Sequence, residues 1–561
     1  MEQIIKVKNK KGVKVIPGFG ISMGVTLSML GCLVLLPLAS IFFSAGELDF
    51  REFIEIVTSR QVVSGYGVSL SCAFFAALVN GVLGLALAWV LVRYDFQGKR
   101  LMDGLIELPF ALPTAVAGIS LTHLYSDQGW IGRLFAEAGV KIAYTRTGIT
   151  IAMIFVGIPF VVRSVQPVLE KLDRQYEEAA AMLGAGQIYT FFHVILPELF
   201  PALLAGFGLA FARGIGEYGS VVFIAGNIPY KTQIAPLLIM TKLEQYKYAD
   251  AIAIALVLLA LSFLLMLLIN SIQLHMQKFS QGGIHSLRKV TEPHRDEGSR
   301  FVKYLLIAIC AVFLFVMLVL PLTVVIANAF RDGWKVYREN VLDEYTIKAF
   351  RLTLLATVSV VAVNTVFGLF ASYLLSKFYF RGRQVLATLI DIPFSISPVI
   401  AGLIFILTFG NMGWMGDFLK AHGIKIVFAT PGVILATIFV TFSFVFRELF
   451  PVMNAQGKDE EEAAGLMGAK GFTIFWRITF PHIKWALIYG IILCAARSMG
   501  EFGAVSVISG HLRGKTNTLP LHVEILYNEF NTTAAFAVSS VLVIMAVLIL
   551  IARNLVEWKQ K

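Results

Sequence analysis

The chain repeats itself at a constant offset of 284 residues, and this constrains its fold more than any single motif. Asn80 aligns with Asn364, Gly98 with Gly382, Pro109 with Pro393, and Gly129-Trp130 with Gly413-Trp414. Further on, Gly184 aligns with Gly468, Glu217 with Glu501, and Lys231-Thr232 with Lys515-Thr516. The register needs no gap between roughly residues 64 and 270, so the unit is a whole duplicated domain and not a solenoid repeat.

Both copies are built from long apolar runs. Hydrophobic residues make up 57% of the chain and charged residues 15%, against soluble averages of about 45–50% and 25%. Runs long enough to cross a bilayer fall near 18–43, 64–92, 104–126, 148–166, 201–226 and 249–273. Matching runs fall near 303–329, 348–376, 388–410, 429–450, 485–509 and 532–556. The expected fold is an all-α polytopic membrane protein of about twelve transmembrane helices in two six-helix repeats. An even number of spans per half sets both halves the same way up, so the repeat is parallel, about a pseudo-two-fold axis along the membrane normal.

The organisation expected is an N-terminal segment at 1–17, a first half at 18–274, a linker at 275–302 and a second half at 303–561. The linker is polar and charge-rich, as a flexible connection between two folded units would be. With the N-terminus inside, about 28 basic residues fall in inner loops and ends and about 16 in outer ones. That bias puts both termini, the linker and the longest loop of each half in the cytoplasm. The net charge of +11 then lies largely on the face that meets anionic headgroups. No basic-aromatic groove stands out, so no nucleic-acid partner is expected.

The basic start (Lys6, Lys8, Lys10, Lys11, Lys14) precedes an apolar run too long for a cleavable signal core, with no small-residue cleavage site after it. Leu30-Gly31-Cys32 faintly resembles a lipoprotein box, but apolar residues continue beyond Cys32, so an uncleaved first span is expected. Cys32, Cys72, Cys310 and Cys494 all lie in apolar runs without metal-ligand spacing, as packing residues would. No metal site and no catalytic residue is expected.

The longest inner loop of each half carries the strongest motif. It reads Tyr176-Glu177-Glu178-Ala179-Ala180-Ala181-Met182-Leu183-Gly184, with Pro197 closing the segment, and Glu461-Glu462-Ala463-Ala464-Gly465-Leu466-Met467-Gly468, with Pro481. Acidic residues suit the positive end of a short helix, alanines favour a thin one, and the glycine suits its C-terminal cap. Each proline fits the first turn of the next helix. Two such helices on one face, related by the repeat, make a symmetric docking surface for a two-fold partner.

This pattern resembles the EAA loop of type I ABC importer permeases. Glu178, Ala179, Ala180, Gly184 and Pro197 match in the first copy, and Glu462, Ala463, Ala464, Gly468 and Pro481 in the second. Phe480 stands for the usual Leu and Val194 for the usual Ile. The resemblance implies the type I ABC importer permease fold, two copies of a cytoplasmic ABC ATPase seated on the loops, and a location in a bacterial-type inner membrane. ATP and Mg would be used by that ATPase and no cofactor bound by this chain. Gly510-His-Leu-Arg-Gly514-Lys515-Thr516 is a tempting phosphate loop, but it has three residues between its glycines where a Walker loop needs four. The chain is therefore expected to be a permease without catalysis of its own.

A second duplicated constellation ends the fifth run of each half. It comprises Arg213 and Glu217 followed by Lys231 and Thr232, and Arg497 and Glu501 followed by Arg513, Lys515 and Thr516. Arg and Glu four apart share one helix face, and charge inside a membrane marks a candidate translocation path or gate; an ion pair that only braces helices is the plainer reading. The loop lysines and threonines supply several donors, as a tetrahedral oxyanion requires, although loop lysines are often merely solvated.

The wording around them is similar to the sulfate/thiosulfate permeases. GEYGSVVFIAGNIPYKTQIAPLLI resembles the T-type subunit, and RSMGEFGAVSVISGHLRGKTNTLPLHVEILYNEFNTTAAFAV resembles the W-type. In that family the two are usually separate chains; here they would be fused in T-then-W order. The resemblance implies alternating-access import of sulfate or thiosulfate, delivered by an extracytoplasmic sulfate-binding protein. Molybdate and tungstate permeases share GEFG-like and TLPL-like segments and are the alternative. An ion-coupled secondary carrier would lack duplicated docking loops. A membrane enzyme would need clustered ligands or a nucleophile-base set in the spans, and neither is present in the sequence.

Overall fold

The computed structural model describes residues 16, 18–173, 175–280, 300–411 and 413–560. Among them there are helices and turns and no strand. Ten single helices are long and apolar enough to cross a membrane, and two bent pairs bring the number to twelve. The first half contains Phe19–Gly46, Arg60–Arg93, the pair Lys99–Ala111 with Thr114–Tyr125, Arg146–Lys171, Gln187–Ile215 and Tyr248–Ile269. The second contains Arg300–Ala329, Glu344–Lys377, the pair Arg383–Ser395 with Pro398–Phe409, Thr430–Gln456, Gly471–Met499 and Thr532–Val556. These are called spans 1 to 6 of each half. The linker expected at 275–302 falls mostly outside the described residues: the sixth helix reaches Ser280 and the next opens at Arg300. The N-terminal segment also lies almost wholly outside them.

The third spans are not the continuous helices expected at 104–126 and 388–410. They bend by 108° and 104°. Proline disfavours helical geometry in the residue before it, and Leu112 before Pro113 and Ser397 before Pro398 are both extended, with ψ of 129° and 134°. The fifth spans are also displaced from 201–226 and 485–509: they start at Gln187 and Gly471 and stop at Ile215 and Met499. Pro197 and Pro481 consequently do not open a helix. Each follows a π-helical turn, Phe191–Ile195 or Phe475–Thr479, inside one that is already running. Pro37 and Pro321 follow the same kind of turn, Gly31–Leu35 and Phe315–Val319. A proline ring clashes with the carbonyl four residues back and offers it no N–H. In all four cases that carbonyl (Leu33, His193, Met317, Arg477) lies in the widened turn, so the helix swells where it would otherwise break.

In each half, spans 2, 4 and 5 pack on one another. Asn80 donates to the Ile154 carbonyl at 3.2 Å, and Asn364, at the same register, donates to Thr441 Oγ1 at 2.8 Å. Such buried amide bonds hold helices together where hydrophobic burial has no water to escape. The first spans are exchanged. Phe19–Leu30 lies on Glu344–Lys377 of the other half and Leu36–Gly46 on Pro398–Phe409, while Arg300–Leu314 lies on Arg60–Arg93 and Leu320–Ala329 on Thr114–Tyr125. Backbone strain repeats as well: Tyr144 and Phe428, Asn227 and His511, and Tyr246 and Phe530 all have positive φ.

Candidate coupling loops and axial gate

Residues Gln175–Met182 and Asp459–Leu466 form the two short helices between spans 4 and 5. Glu177 and Glu178, and Glu461 and Glu462, occupy their first turns. Each ends in a Schellman arrangement around a left-handed glycine, Gly184 at φ +83° and Gly468 at φ +86°. Ala185 N–H donates to Ala180 and Gly184 N–H to Ala181; in the second copy Ala469 donates to Ala464 and Gly468 to Gly465. A side chain at either glycine would carry the left-handed penalty. Beyond the acidic turn, each helix presents bare apolar side chains. Met182 and Leu183 are 89% and 88% exposed, and Met467 is 89% exposed beside Leu466. Adjacent exposed apolar side chains of this kind make each helix end a candidate interaction surface. Ala179 and Ala463 are exposed next to it, while Ala180 and Ala464 are half-buried.

The first glutamate of each pair turns inward. Glu177 meets Arg93 at 2.6 Å, and Glu461 meets Lys377 at 2.6 Å. Arg93 and Lys377 are the last residues of the second spans and are themselves one repeat apart. The Glu461–Lys377 pair is completely buried. There Lys377 also donates to the Gly457 carbonyl at 2.5 Å, and Thr479 donates to Glu461 Oε1 at 3.1 Å. The second glutamate faces outward: Glu178 is exposed, and Glu462 makes a half-exposed pair with Lys458 at 2.6 Å. Each helix is thus tied to a membrane span by one carboxylate. The sequence reading missed Arg93 and Lys377, although a basic residue ending span 2 in both copies was visible at the 284 offset.

The Arg–Glu pairs also form, at 2.8 Å for Arg213–Glu217 and 2.6 Å for Arg497–Glu501. They do not share a helix, although i,i+4 spacing suggested it. Span 5 stops at Ile215 or Met499, and the glutamate sits in the break. Its other oxygen caps the next short helix: Glu217 Oε1 accepts from Ser220 N–H and Oγ at 3.0 and 2.9 Å, and Glu501 Oε1 accepts from Ala504 N–H at 3.0 Å. The buried carboxylate is thus held on one side by the charge of an arginine and on the other by capping donors. It fixes the break rigidly.

Next to each glutamate an aromatic ring reaches the pseudo-two-fold axis. Tyr218 and Phe502, one repeat apart, stack at 5.9 Å with 12° between planes, and both are buried. Gly219 and Gly503 allow this approach, since a Cβ would lie 2.1 Å from Thr114 Oγ1 or 2.7 Å from Pro398 Cβ. Ser397 Oγ donates across the halves to the Gly216 carbonyl at 2.8 Å. Nearer the face of the EAA loops lies a second aromatic layer: Phe110–Phe160 at 5.2 Å, Phe160–Phe394 at 5.8 Å and Phe394–Phe444 at 6.0 Å. Phe394 and Phe444 repeat Phe110 and Phe160, and the Phe160–Phe394 contact crosses between halves. The sequence reading missed these rings because phenylalanine in an apolar span looks like ordinary packing.

The loops beyond the break separate their two donors. Thr232 and Thr516 are buried and accept from Ile228 N–H at 3.0 Å and Leu512 N–H at 3.2 Å; Thr516 also donates to the Ser509 carbonyl. These hydroxyls brace their own turns. Lys231 and Lys515 are exposed. Arg513 is exposed and pairs with Glu529. Of the loop lysines and threonines expected to meet an oxyanion, only the lysines project from the surface.

A family model described as "Binding-protein-dependent transport system inner membrane component" matches twice, over residues 80–279 and 364–560. The sulfate transport system permease protein CysT of Salmonella typhimurium is 48% identical over 260 residues, which is 46% of this chain and 94% of that protein. The probable sulfate transport system permease protein cysT of Nephroselmis olivacea is 49% identical over 246 residues, 44% of this chain and 87% of the relative. The sulfate transport system permease protein CysW of Escherichia coli is 44% identical over 257 residues, 46% of this chain and 88% of that protein. Each relative is nearly covered, yet spans less than half of this chain.

Proposed function

This chain belongs to the binding-protein-dependent transport system inner membrane components, and from that premise we propose that it is the whole membrane-spanning part of an ATP-driven sulfate importer, with a CysT-like half fused to a CysW-like half. The observation that carries the reading is the pairing of two kinds of half-length sulfate-permease relative with a duplicated, apolar, outward-facing loop helix. Thiosulfate belongs to the same proposal as a second tetrahedral oxyanion.

In this reading both termini and both EAA loops are cytoplasmic, consistent with the Lys/Arg bias. Two ATPase subunits cover Met182, Leu183, Leu466 and Met467, and hydrolyse ATP with Mg; this chain supplies no nucleotide site and catalyses nothing. An extracytoplasmic binding protein delivers the anion to the opposite face, where Lys231 and Lys515 project. ATP-driven approach of the loops pulls on spans 2 through Glu177–Arg93 and Glu461–Lys377. The halves then rock about their interface, a packed two-state element. The stacked Tyr218 and Phe502, buried on the axis beyond the phenylalanine layer, support the view that this conformation is closed toward the binding protein, since aromatic constrictions exclude hydrated ions.

The test is radiolabelled sulfate uptake in cells without their own sulfate permease, expressing this chain with its ATPase and binding protein. Uptake that needs ATP, competes with thiosulfate and resists molybdate is expected. Molybdate accumulation without sulfate uptake would keep the architecture and overturn the solute.

A further inference from the structure

The two halves differ where their broken third spans meet the other half. In the first half, Glu107 lies inside the Lys99–Ala111 arm, five residues before the extended Leu112 where that arm bends into Thr114–Tyr125, and is buried. One oxygen meets Arg163 of its own span 4 at 2.5 Å, and the other meets Arg553 of the sixth span of the second half. Arg553 is equally buried, and its Nε donates to Tyr489 Oη at 3.0 Å, with the guanidinium over the Tyr489 ring. Glu107 is therefore tied to both halves at once. Asp103 completes the group by accepting from Arg163 at 2.8 Å.

One repeat further on, the second elbow keeps only part of this arrangement. Asp391 stands for Glu107 and Arg447 for Arg163, and they meet at 2.8 Å. Position 269, the counterpart of Arg553, is Ile, and position 205, the counterpart of Tyr489, is Ala. Nothing comparable reaches Asp391 from the first half among the described residues. The environments differ too: the Glu107 and Arg553 side chains are 5% and 4% exposed, those of Asp391 and Arg447 32% and 30%. A buried pair is stronger and less screened than one open to solvent.

We propose that Arg553 is a positioning residue that clasps Glu107 and holds the first elbow as a fixed pivot, so that the second elbow is the one that swings when access switches. The two halves then have unequal mechanical roles within one chain. This goes beyond the transport reading and does not depend on which anion is carried; it uses that reading only in taking an ATPase as the driver.

The experiment places spin labels in the whole complex and measures distances in the resting state and with ATP and vanadate. Lys171 with Ala455, the inner ends of the fourth spans, reports whether the halves move. Arg100 with Lys171 reports the first elbow, and Gln384 with Ala455 reports the second. Arg100, Gln384, Lys171 and Ala455 are all exposed. The expected result is a shift in Lys171–Ala455 and Gln384–Ala455 with Arg100–Lys171 unchanged. Arg553→Met should let Arg100–Lys171 shift as well, and Arg553→Lys should restore the fixed distance. Should Arg553→Met misassemble, the double variant Glu107→Gln/Arg553→Met removes both charges and should show the same released elbow. Equal shifts at both elbows in the wild type overturn the clasp, as does a first elbow still fixed in the variants. No change in Lys171–Ala455 overturns the ATP-driven reading instead.

Discussion

Replacing Lys377 by methionine tests the link between loop and span most directly. Lys377 and Glu461 are 0% exposed as side chains, and Lys377 additionally ties down the Gly457 carbonyl. Removing one member of a buried ion pair leaves an uncompensated charge and costs about 3–5 kcal/mol. At about 1.4 kcal/mol per tenfold, that loosens the docked loop helix by roughly two to three and a half orders of magnitude. The equivalent Arg93–Glu177 pair has a carboxylate that is 29% exposed, so solvent offsets part of the loss, and Arg93→Met should be milder. The assay is ATP-driven uptake per inserted permease, beside the ATPase rate of the same complex. Lys377→Met should lower uptake at least tenfold while ATP hydrolysis continues, and hydrogen exchange of Asp459–Leu466 should accelerate. The double variant Lys377→Met/Glu461→Gln removes the stranded charge and should recover part of the protection. Uptake within twofold of wild type for Lys377→Met, or a double variant as unprotected as the single, would refute the tether.

Gly184→Val and Gly468→Val each force a branched residue into the left-handed region at about 1–2 kcal/mol; uptake should fall while membrane insertion, read by fractionation, is unchanged, and normal uptake by both would remove the cap from the coupling mechanism. Phe160→Ala/Phe394→Ala opens the aromatic contact between halves and should let chloride leak through ATP-free proteoliposomes, where tightness equal to wild type would discard the layer as a barrier. On the opposite face, burial works to lower the pKa of His511, but the bond and charge of Glu524, helped by Glu244, outweigh it and leave it above the ordinary histidine value. A raised folded value means that the contact stabilises the loop fully below about pH 6.5 and loses this as pH rises through the folded value. Amide protection of Gly510–Thr516 should therefore fall with rising pH in the wild type and be flat in His511→Gln; equal pH dependence in both would refute it.

The twelve spans and their pairing were legible because hydropathy and an internal offset are properties of the string. The bends were not. A hydropathy window sums residues whatever their direction, so Leu112-Pro113 and Ser397-Pro398 sit inside apolar stretches that score as one helix while turning by more than 100°. The π turns escaped for the opposite reason: Pro197 and Pro481 looked like helix starts, but a helix already running can absorb a proline by widening the turn before it. The Arg–Glu spacing predicted the contact correctly and its setting wrongly, because i,i+4 geometry survives two residues past a helix end.

Comparing the two copies position by position separates what each half needs from what the pair needs. The tether to the loop helix keeps its charge in both copies although arginine is exchanged for lysine, because any cation there holds the inward carboxylate and both loops must be held. Tyr218 and Phe502 exchange a hydroxyl but keep the ring, because a stacked contact on the axis involves both copies of one position. Among the described residues the Arg553–Tyr489 arm exists in one copy alone, opposite Ile269 and Ala205. A second arm would pin both elbows to both halves, and a machine with two pinned elbows has no easy rocking mode. A single-sided clasp therefore fits a two-state interface better than a symmetric one. Building the missing arm, Ile269→Arg/Ala205→Tyr, should on this argument slow uptake despite adding an ion pair to Asp391; faster uptake or no change would show that the asymmetry carries no mechanical consequence.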